Sequence, residues 1–329
     1  TIKTLNIIPK LLPLFIGKFL IDEIHIESPD IKMVITRSSK NVKEAKEPFN
    51  LDTFKDTVTG VLSPLATELP EFQATINDGV FNLVEKNEAV LTLSDVQAEI
   101  GSISKEIEIK MGGTSKICED ISVNASFDQR NLKGKGDVEL THFQPQAIIN
   151  RFLPDTVYRI TKPINKLSVN LKTDESNGLQ VDIDNINVSG DYDGLPFPLQ
   201  INDGRVHYDG ENIDLLNVDG TLGGSSFSEL TGRISLGEDV SIEIQSGRAM
   251  ALLEELYPWI SSFEKAGKGL KDIKTVSGIL QVPSLKFQGP LSMPESWKIE
   301  ATGKIKDLIV DTTLFPEPIE IEEGNLQAV

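Results

Sequence analysis

Three histidines, His25, His142 and His207, and one cysteine, Cys118, are the chain's only imidazole and thiol ligands. Zinc needs such side chains at short, regular spacing. These four are scattered, with no H-x-x-x-H or paired cysteine among them. They are therefore expected at strand and turn positions. Asp182, Asp184, Asp191 and Asp193 cluster around a predicted turn, where oxygen ligands could hold Ca²⁺. The order of an EF-hand loop is absent, so hairpin aspartates on a solvated face are the simpler expectation. Ser102-Ile103-Ser104-Lys105 has the S-x-x-K form of serine acyl-transferases but lacks their accompanying motifs. Gly134-Lys135-Gly136 lacks P-loop spacing, and no G-x-S-x-G elbow occurs. No nucleophile–base constellation emerges, so no catalytic residue, metal or cofactor is assigned, and the chain is expected not to be an enzyme.

What the sequence does contain is apolar alternation. Ile107, Ile109 and Met111; Ile121, Val123, Ala125 and Phe127; Val138 and Leu140 are spaced by two. So are Leu167, Val169 and Leu171; Val181 and Ile183; Val240, Ile242 and Ile244; Leu280 and Val282. Period-2 spacing predicts strands with one apolar face. Turn pairs such as Asn177-Gly178, Asp193-Gly194 and Asp209-Gly210 separate the runs and predict successive antiparallel hairpins. One phrase recurs: Ile76-Asn77-Asp78-Gly79-Val80, Ile201-Asn202-Asp203-Gly204-Arg205-Val206 and Ile321-Glu322-Glu323-Gly324-Asn325-Leu326. Each copy reads as strand–turn–strand, because Asp-Gly supplies the positive φ of a tight turn. A long-period repeat of one β unit predicts an array rather than a compact catalytic domain. The start at Thr1 and the third phrase near the C-terminus read as a length cut from a longer array.

Near the N-terminus, Ile21 to Ile26 and the run Ile31, Met33, Ile35 flank a Ser28-Pro29-Asp30 break and predict two strands. Leu11 to Ile24 contains Pro13, Lys18, Asp22 and Glu23 and is too interrupted to span a bilayer. Residues Ser38 to Pro48 are polar. Asn50 then caps an amphipathic pattern of Leu51, Phe54, Val58, Leu62 and Leu65, which predicts a helix. Two more helical patterns, Phe143 to Leu153 and Arg248 to Ile260, are closed or kinked by Pro154 and Pro258. Beside the latter, Tyr257, Trp259 and Phe263 could form an aromatic patch at a groove mouth or close a core. Lys265, Lys268, Lys271 and Lys274 could meet lipid head groups or form a solvated linker over Glu264 to Lys274.

The chain has 329 residues, 39% hydrophobic and 25% charged, ordinary for an ordered protein. With 32 basic and 50 acidic residues its net charge is −18. An anionic protein of this kind cannot neutralise phosphate, which argues against nucleic acid as a partner. One cysteine excludes an internal disulfide without fixing the compartment. A one-sided sheet must bury its apolar face by folding into a sandwich, closing into a barrel or curling into a trough. Sequence does not choose among these.

The stretch Leu11-Leu12-Pro13-Leu14-Phe15-Ile16-Gly17-Lys18-Phe19-Leu20-Ile21, the phrase Ile26-Glu27-Ser28-Pro29-Asp30-Ile31-Lys32 and the opening Pro48-Phe49-Asn50-Leu51-Asp52-Thr53-Phe54 resemble the AsmA-like family of bacterial envelope proteins. So does Asn212-Ile213-Asp214-Leu215-Leu216-Asn217-Val218-Asp219-Gly220-Thr221-Leu222-Gly223-Gly224-Ser225-Ser226-Phe227. The resemblance implies a relative of the AsmA, TamB and YhdP group, held in the inner membrane of a Gram-negative bacterium by an N-terminal helix that this sequence lacks. It implies a periplasmic, repeating β-groove that passes phospholipid towards the outer membrane or supports envelope assembly. The expected fold is mainly β: an elongated, curled antiparallel sheet with a few short amphipathic helices. The expected divisions are an N-terminal segment over 1–75, a first groove repeat over 76–200, and over 201–329 a second repeat with the start of a third. Lipid-groove candidates are Ile107, Ile109, Ile121, Val123, Phe127, Val169, Leu171, Val181, Ile183, Ile242 and Ile244. Expected partners are phospholipid or another envelope lipid, the inner membrane and other envelope proteins. The alternatives are an envelope scaffold with a closed core and, less favoured, an envelope hydrolase.

Overall fold

A computed structural model describes residues 1–35, 71–85, 88–103, 106–128, 133–146, 158–160, 162–174, 178–192, 195–236, 240–293 and 296–328. Of these residues strand accounts for 73% and helix for 9%. The expectation of a mainly β chain with a curled, unclosed sheet and a few short helices is met. Contacts separate two compact units, Thr1–Thr156 with Pro163–Gln180, and Val157–Lys162 with Val181–Val329.

In the first unit the strands are β1 (Thr4–Pro9), β2 (Ile21–Glu27), β3 (Asp30–Ile35), β4 (Phe72–Glu85), β5 (Glu88–Ile103), β6 (Glu106–Ser115), β7 (Cys118–Asp128), β8 (Gly134–Phe143) and β10 (Ile164–Asp174). A short helix α1 (Leu11–Phe15) joins β1 to β2. β1 pairs with β2, and β2 and β3 lie end to end along one edge of β4. From β4 the sheet continues through β5, β6, β7 and β8 to β10. Among the described residues no register pairs β1 with β10. The pairings of β2 and β3 with β4 are parallel. This departs from the all-antiparallel expectation: β4 runs in the same direction as β2 and β3 rather than reversing against them.

In the second unit β9 (Tyr158–Ile160) pairs with β12 (Val188–Tyr192). β11 (Gly178–Asp184) and β12 share one edge of β13 (Leu199–Tyr208). Antiparallel neighbours follow in sequence: β14 (Asn212–Leu222), β15 (Ser225–Ser235), β16 (Ser241–Leu252), β17 (Ile273–Pro290), β18 (Lys298–Thr312) and β19 (Ile319–Ala328). Between β16 and β17 come α2 (Leu253–Ser262) and α3 (Glu264–Gly269).

The helical pattern expected from Arg248 starts later. Arg248 to Leu252 remains in β16, because its alternating residues pair with Leu280 to Val282 of β17, and helix begins only at Leu253. Pro258 lies inside α2 rather than ending it. Glu264–Gly269 is helical rather than a plain linker. The helix expected over Asn50 to Leu65 lies outside the described residues. So does most of the Phe143 to Leu153 pattern, of which Phe143 ends β8.

The recurring phrase is not a hairpin turn. Asp78-Gly79 lies inside β4, Asp203-Gly204 inside β13, and Glu323-Gly324 inside β19. The borders expected at 75/76 and 200/201 therefore fall within β4 and β13. In the first two copies the phrase forms a β-bulge, at which the register against the next strand shifts. The bulge faces the gap between two collinear strands. Against β4, Ser28-Pro29 separates β2 from β3, with Ser28 N–H bonding Asn77 O (2.8 Å) and Val80 N–H bonding Pro29 O (2.7 Å). Against β13, Ile186 lies between β11 and β12 and donates its N–H to Gly204 O (3.2 Å).

Further bulges extend from these. Asp78 (φ 51°) neighbours Asp95 (φ 52°) of β5, and Gly204 (φ 145°) is followed by Asn217 (φ 52°) of β14 and Glu229 (φ 54°) of β15. Side chains tie the bulged strands together. Gln97 Nε2 donates to Asp78 (3.2 Å), Thr114 Oγ1 to Asp95 (3.3 Å), and Glu229 N–H to Asp219 (2.7 Å). Bulges bend a strand and raise its twist, so successive bulges curl a single sheet.

The expected turn at Asp209-Gly210 does join two strands, β13 and β14. Asp209 Oδ1 accepts the N–H groups of Glu211 (2.9 Å) and Asn212 (2.7 Å). Those two bonds, with a third from the Asn212 side chain, hold the Asp209 carboxyl down at about 2. The preference for the charged acceptor is complete above the usual 3.8 and is lost as pH falls towards 2.

The two phrase glycines should respond differently to substitution. A Cβ at Gly204 would sit 2.9 Å from Val218 Cγ2 and 3.0 Å from its Cα, on a backbone at φ +145°, whereas at Gly324 the nearest atom is 3.8 Å away. Gly204→Ala should cost about 1–3 kcal/mol in urea unfolding. Gly324→Ala should stay within about 0.5 kcal/mol. Equal effects would contradict the bulge assignment.

Candidate functional site

Directly paired residues in neighbouring strands project from the same face of a sheet, so the registers sort every side chain to one face or the other. In the first unit one row runs Leu5, Ile26, Ile76, Ala98, Met111, Val123, Val138, Val169 across β1, β2, β4, β5, β6, β7, β8 and β10. The adjacent row on that face runs Ile7, Ile24, Ala74, Ile100, Ile109, Ala125, Gly136, Leu171. Neither row contains a polar side chain. The row between them, on the other face, is Asn6, His25, Thr75, Glu99, Lys110, Asn124, Asp137, Asn170. The sheet is therefore apolar on one side and polar on the other across all eight strands.

The second unit repeats the division. One row is Ile183, Val206, Leu215, Gly232, Ile244, Phe287, Ile299. Its neighbour on the same face is Val181, Tyr208, Ile213, Ile234, Ile242, Gly289. The intervening polar row is Asp182, His207, Asp214, Arg233, Glu243, Gln288, Lys298. Arg233 reaches Asp214 through Nε (2.6 Å) and a terminal nitrogen (3.2 Å), and this pairing raises the Arg233 pKa.

The eleven groove candidates fall on these apolar faces. Within the first unit, Ile107, Ile109, Ile121, Val123, Phe127, Val169 and Leu171 share one face. Within the second, Val181, Ile183, Ile242 and Ile244 do so. Their accessibility differs. Ile107 is 0% exposed and Ile244 2%, so those two are sealed by the protein's own packing and cannot touch a ligand. The other nine are half-buried. A cluster of Ile76, Leu93, Val96 and Ala98, with Ile26, Phe81, Ile100, Met111 and Ile121 against it, forms the densest part of the first face.

The chemistry-bearing residues are dispersed. His25 pairs with Glu23 (3.1 Å), His142 with Glu119 (2.8 Å) and His207 with Asp182 (2.7 Å). Asp184 faces Arg205 (3.6 Å), and Asp191 lies in β12 opposite Arg159 of β9. These aspartates belong to cross-strand charge pairs, and among the described residues no group of His, Cys, Asp and Glu could hold a metal. Asp193 lies outside the described residues. Ser102 is 2% exposed in β5, on the apolar face between Phe72 and Ile107. Lys105, the other end of that motif, is not described. An open cleft of about 360 Å³ lies on the first unit between Lys10, Glu23, Glu71, Glu99, Glu108 and Lys110.

Around α2, Trp259 and Phe263 meet edge to face with ring centroids 5.1 Å apart, and the Tyr257 hydroxyl donates to Ile273 O (2.7 Å). The Glu255 carboxylate accepts from Gly224 N–H (2.7 Å) and the Glu254 carboxylate from Gly278 N–H (3.3 Å), tying the first turn of α2 to the β14–β15 turn and to β17. Two of the neighbouring lysines are held in ion pairs. Lys268 bonds Glu264 (2.7 Å) and Lys274 bonds Asp311 (3.3 Å).

Sequence reasoning missed the bulges, whose signal was an Asp-Gly pair inside an unbroken alternating run. It also missed the outward display of the N-terminal apolar residues. Cys118 is 5% exposed at the start of β7. Burial, and then the charge of Asp120, push its thiol up. A thiol-specific disulfide reagent at neutral pH should therefore modify Cys118 at least about tenfold more slowly in the native protein than in urea; equal rates would contradict the packing at β7.

No family model, no curated protein and no solved structure matches this chain.

Proposed function

We propose that the chain is a non-enzymatic lipid-binding module whose apolar sheet face carries acyl chains, as part of a β-groove that conducts phospholipid between envelope membranes. The observation that carries this reading is the continuity of the apolar rows. Leu5 through Val169 crosses eight strands without a polar side chain. An acyl chain gains about 0.8 kcal/mol for each CH₂ it removes from water. That gain changes little as the chain slides along a surface of uniform apolarity, so movement meets no deep trap. The resemblance to AsmA-like envelope proteins supports a setting on the periplasmic side of a Gram-negative inner membrane. Lipid conduction requires no nucleophile, metal or cofactor.

A second reading is an envelope scaffold with a closed core. The complete burial of Ile107 and the near-complete burial of Ile244 favour it, since both lie on the apolar faces.

The two readings separate under photo-crosslinking. Benzoylphenylalanine introduced at Val123 or Val169 faces the apolar side, and at Asn124 or Asn170 the polar side. Expressed in a Gram-negative host, the first pair should yield phospholipid adducts and the second pair none. Val169→Asp should lower bound phospholipid at least about fivefold, a loss on the scale of one or two buried CH₂ groups, while the circular-dichroism spectrum is kept. Adducts at neither pair would favour the scaffold.

A further inference from the structure

Large apolar side chains are rarely exposed as a contiguous group unless something docks on them. Here they concentrate in one short segment: Leu11 (70%), Leu12 (82%), Phe15 (85%), Ile16 (73%) and Phe19 (65%) are exposed. The segment is an ordered loop rather than a loose tail. Lys10 N–H bonds Leu20 O (2.8 Å) and closes its base. Ile16 N–H and Lys18 N–H bond Pro13 O (3.1 and 2.9 Å), and Gly17 N–H bonds Leu14 O (3.1 Å) with Gly17 at φ 76°. The backbone satisfies its own polar groups and turns the side chains outward.

The loop itself carries no carboxylate, and of its two lysines Lys10 is bonded to Glu71 (3.1 Å) while Lys18 is exposed. Thr1 to Leu20 contains Lys3, Lys10 and Lys18 and no carboxylate, in a chain of net charge −18. Apolar side chains flanked by lysines fit a surface that is apolar beneath and anionic at its boundary. The loop is too short to span a bilayer, and no described helix is long and apolar enough to do so. It fits the interface, where apolar side chains enter the acyl boundary and lysines remain at the head groups.

We propose that the closed loop from Lys10 to Leu20 is a membrane-docking element that inserts Leu11, Leu12, Phe15, Ile16 and Phe19 into the interface of an anionic phospholipid bilayer. It holds the first unit of the sheet at the membrane surface. This inference does not depend on the lipid-groove reading.

The test is flotation of the 329-residue chain with vesicles of phosphatidylethanolamine and phosphatidylglycerol, and with vesicles of phosphatidylcholine alone. The chain should float with the anionic vesicles and less with the neutral ones. Leu12→Asp/Phe15→Asp should reduce flotation at least about tenfold. Lys18→Ala should reduce it about fivefold on anionic vesicles only. Both substituted side-chain sets are exposed, so circular dichroism should be unchanged. Phospholipid adducts at Val123 should persist in the double variant, which keeps this proposal separable from the groove. Absence of flotation, equal flotation of the double variant, or a dimer in light scattering that the double variant dissolves would each overturn it.

Discussion

The constraint on which everything else depends is the period-2 separation of apolar from polar side chains in long strands, which among the described residues are accompanied by only three short helices. Each unit is a single sheet in which paired residues keep the same character from strand to strand. A cross-strand apolar pair contributes roughly 0.2–1 kcal/mol, and a one-residue slip would send a whole strand's apolar set to the wrong face. Register is thus enforced by the same alternation that creates the apolar surface. The price is a face that must be shielded by curling, by packing or by a ligand. Ile107 and Ile244 show where the packing is complete, and the half-buried Val123, Val169 and Ile242 where it is not.

Curling has identifiable causes. Asp78, Asp95, Asn217 and Glu229 adopt left-handed φ values at register shifts, and each such shift re-aims its strand. Aspartate and asparagine tolerate this conformation better than other non-glycine residues. Gly79 is glycine for want of space rather than for its φ. A Cβ there would lie 3.3 Å from Pro29, a fully buried side chain, and 3.1 Å from Ile76. The kink between β2 and β3 and the bulge in β4 are thus one packed feature, and β11, β12 and β13 build a similar edge in the second unit.

Much of the fold was legible because alternation is a local signal. The runs at Ile107, Ile121, Leu167 and Val181 are strands, and their candidates share faces within each unit. The phrase was misread because Asp-Gly supplies positive φ equally well to a hairpin turn and to a bulge; only the partner strand distinguishes them. The parallel pairing of β2 and β3 with β4 was hidden because alternation within a strand does not say which strand it joins, or in which direction. Arg248 to Leu252 looked helical because its apolar spacing fits both periods, and β17 decided for strand. The exposed loop at Leu11 to Leu20 was visible as an apolar run, but its outward display depends on backbone bonds that sequence does not reveal.

The most direct measurement is native mass spectrometry of the chain purified from a Gram-negative host without detergent. A groove that carries lipid predicts a folded species heavier than the polypeptide by one or more phospholipid masses, shed on collisional activation. A folded species at the bare polypeptide mass under the same gentle conditions would contradict it.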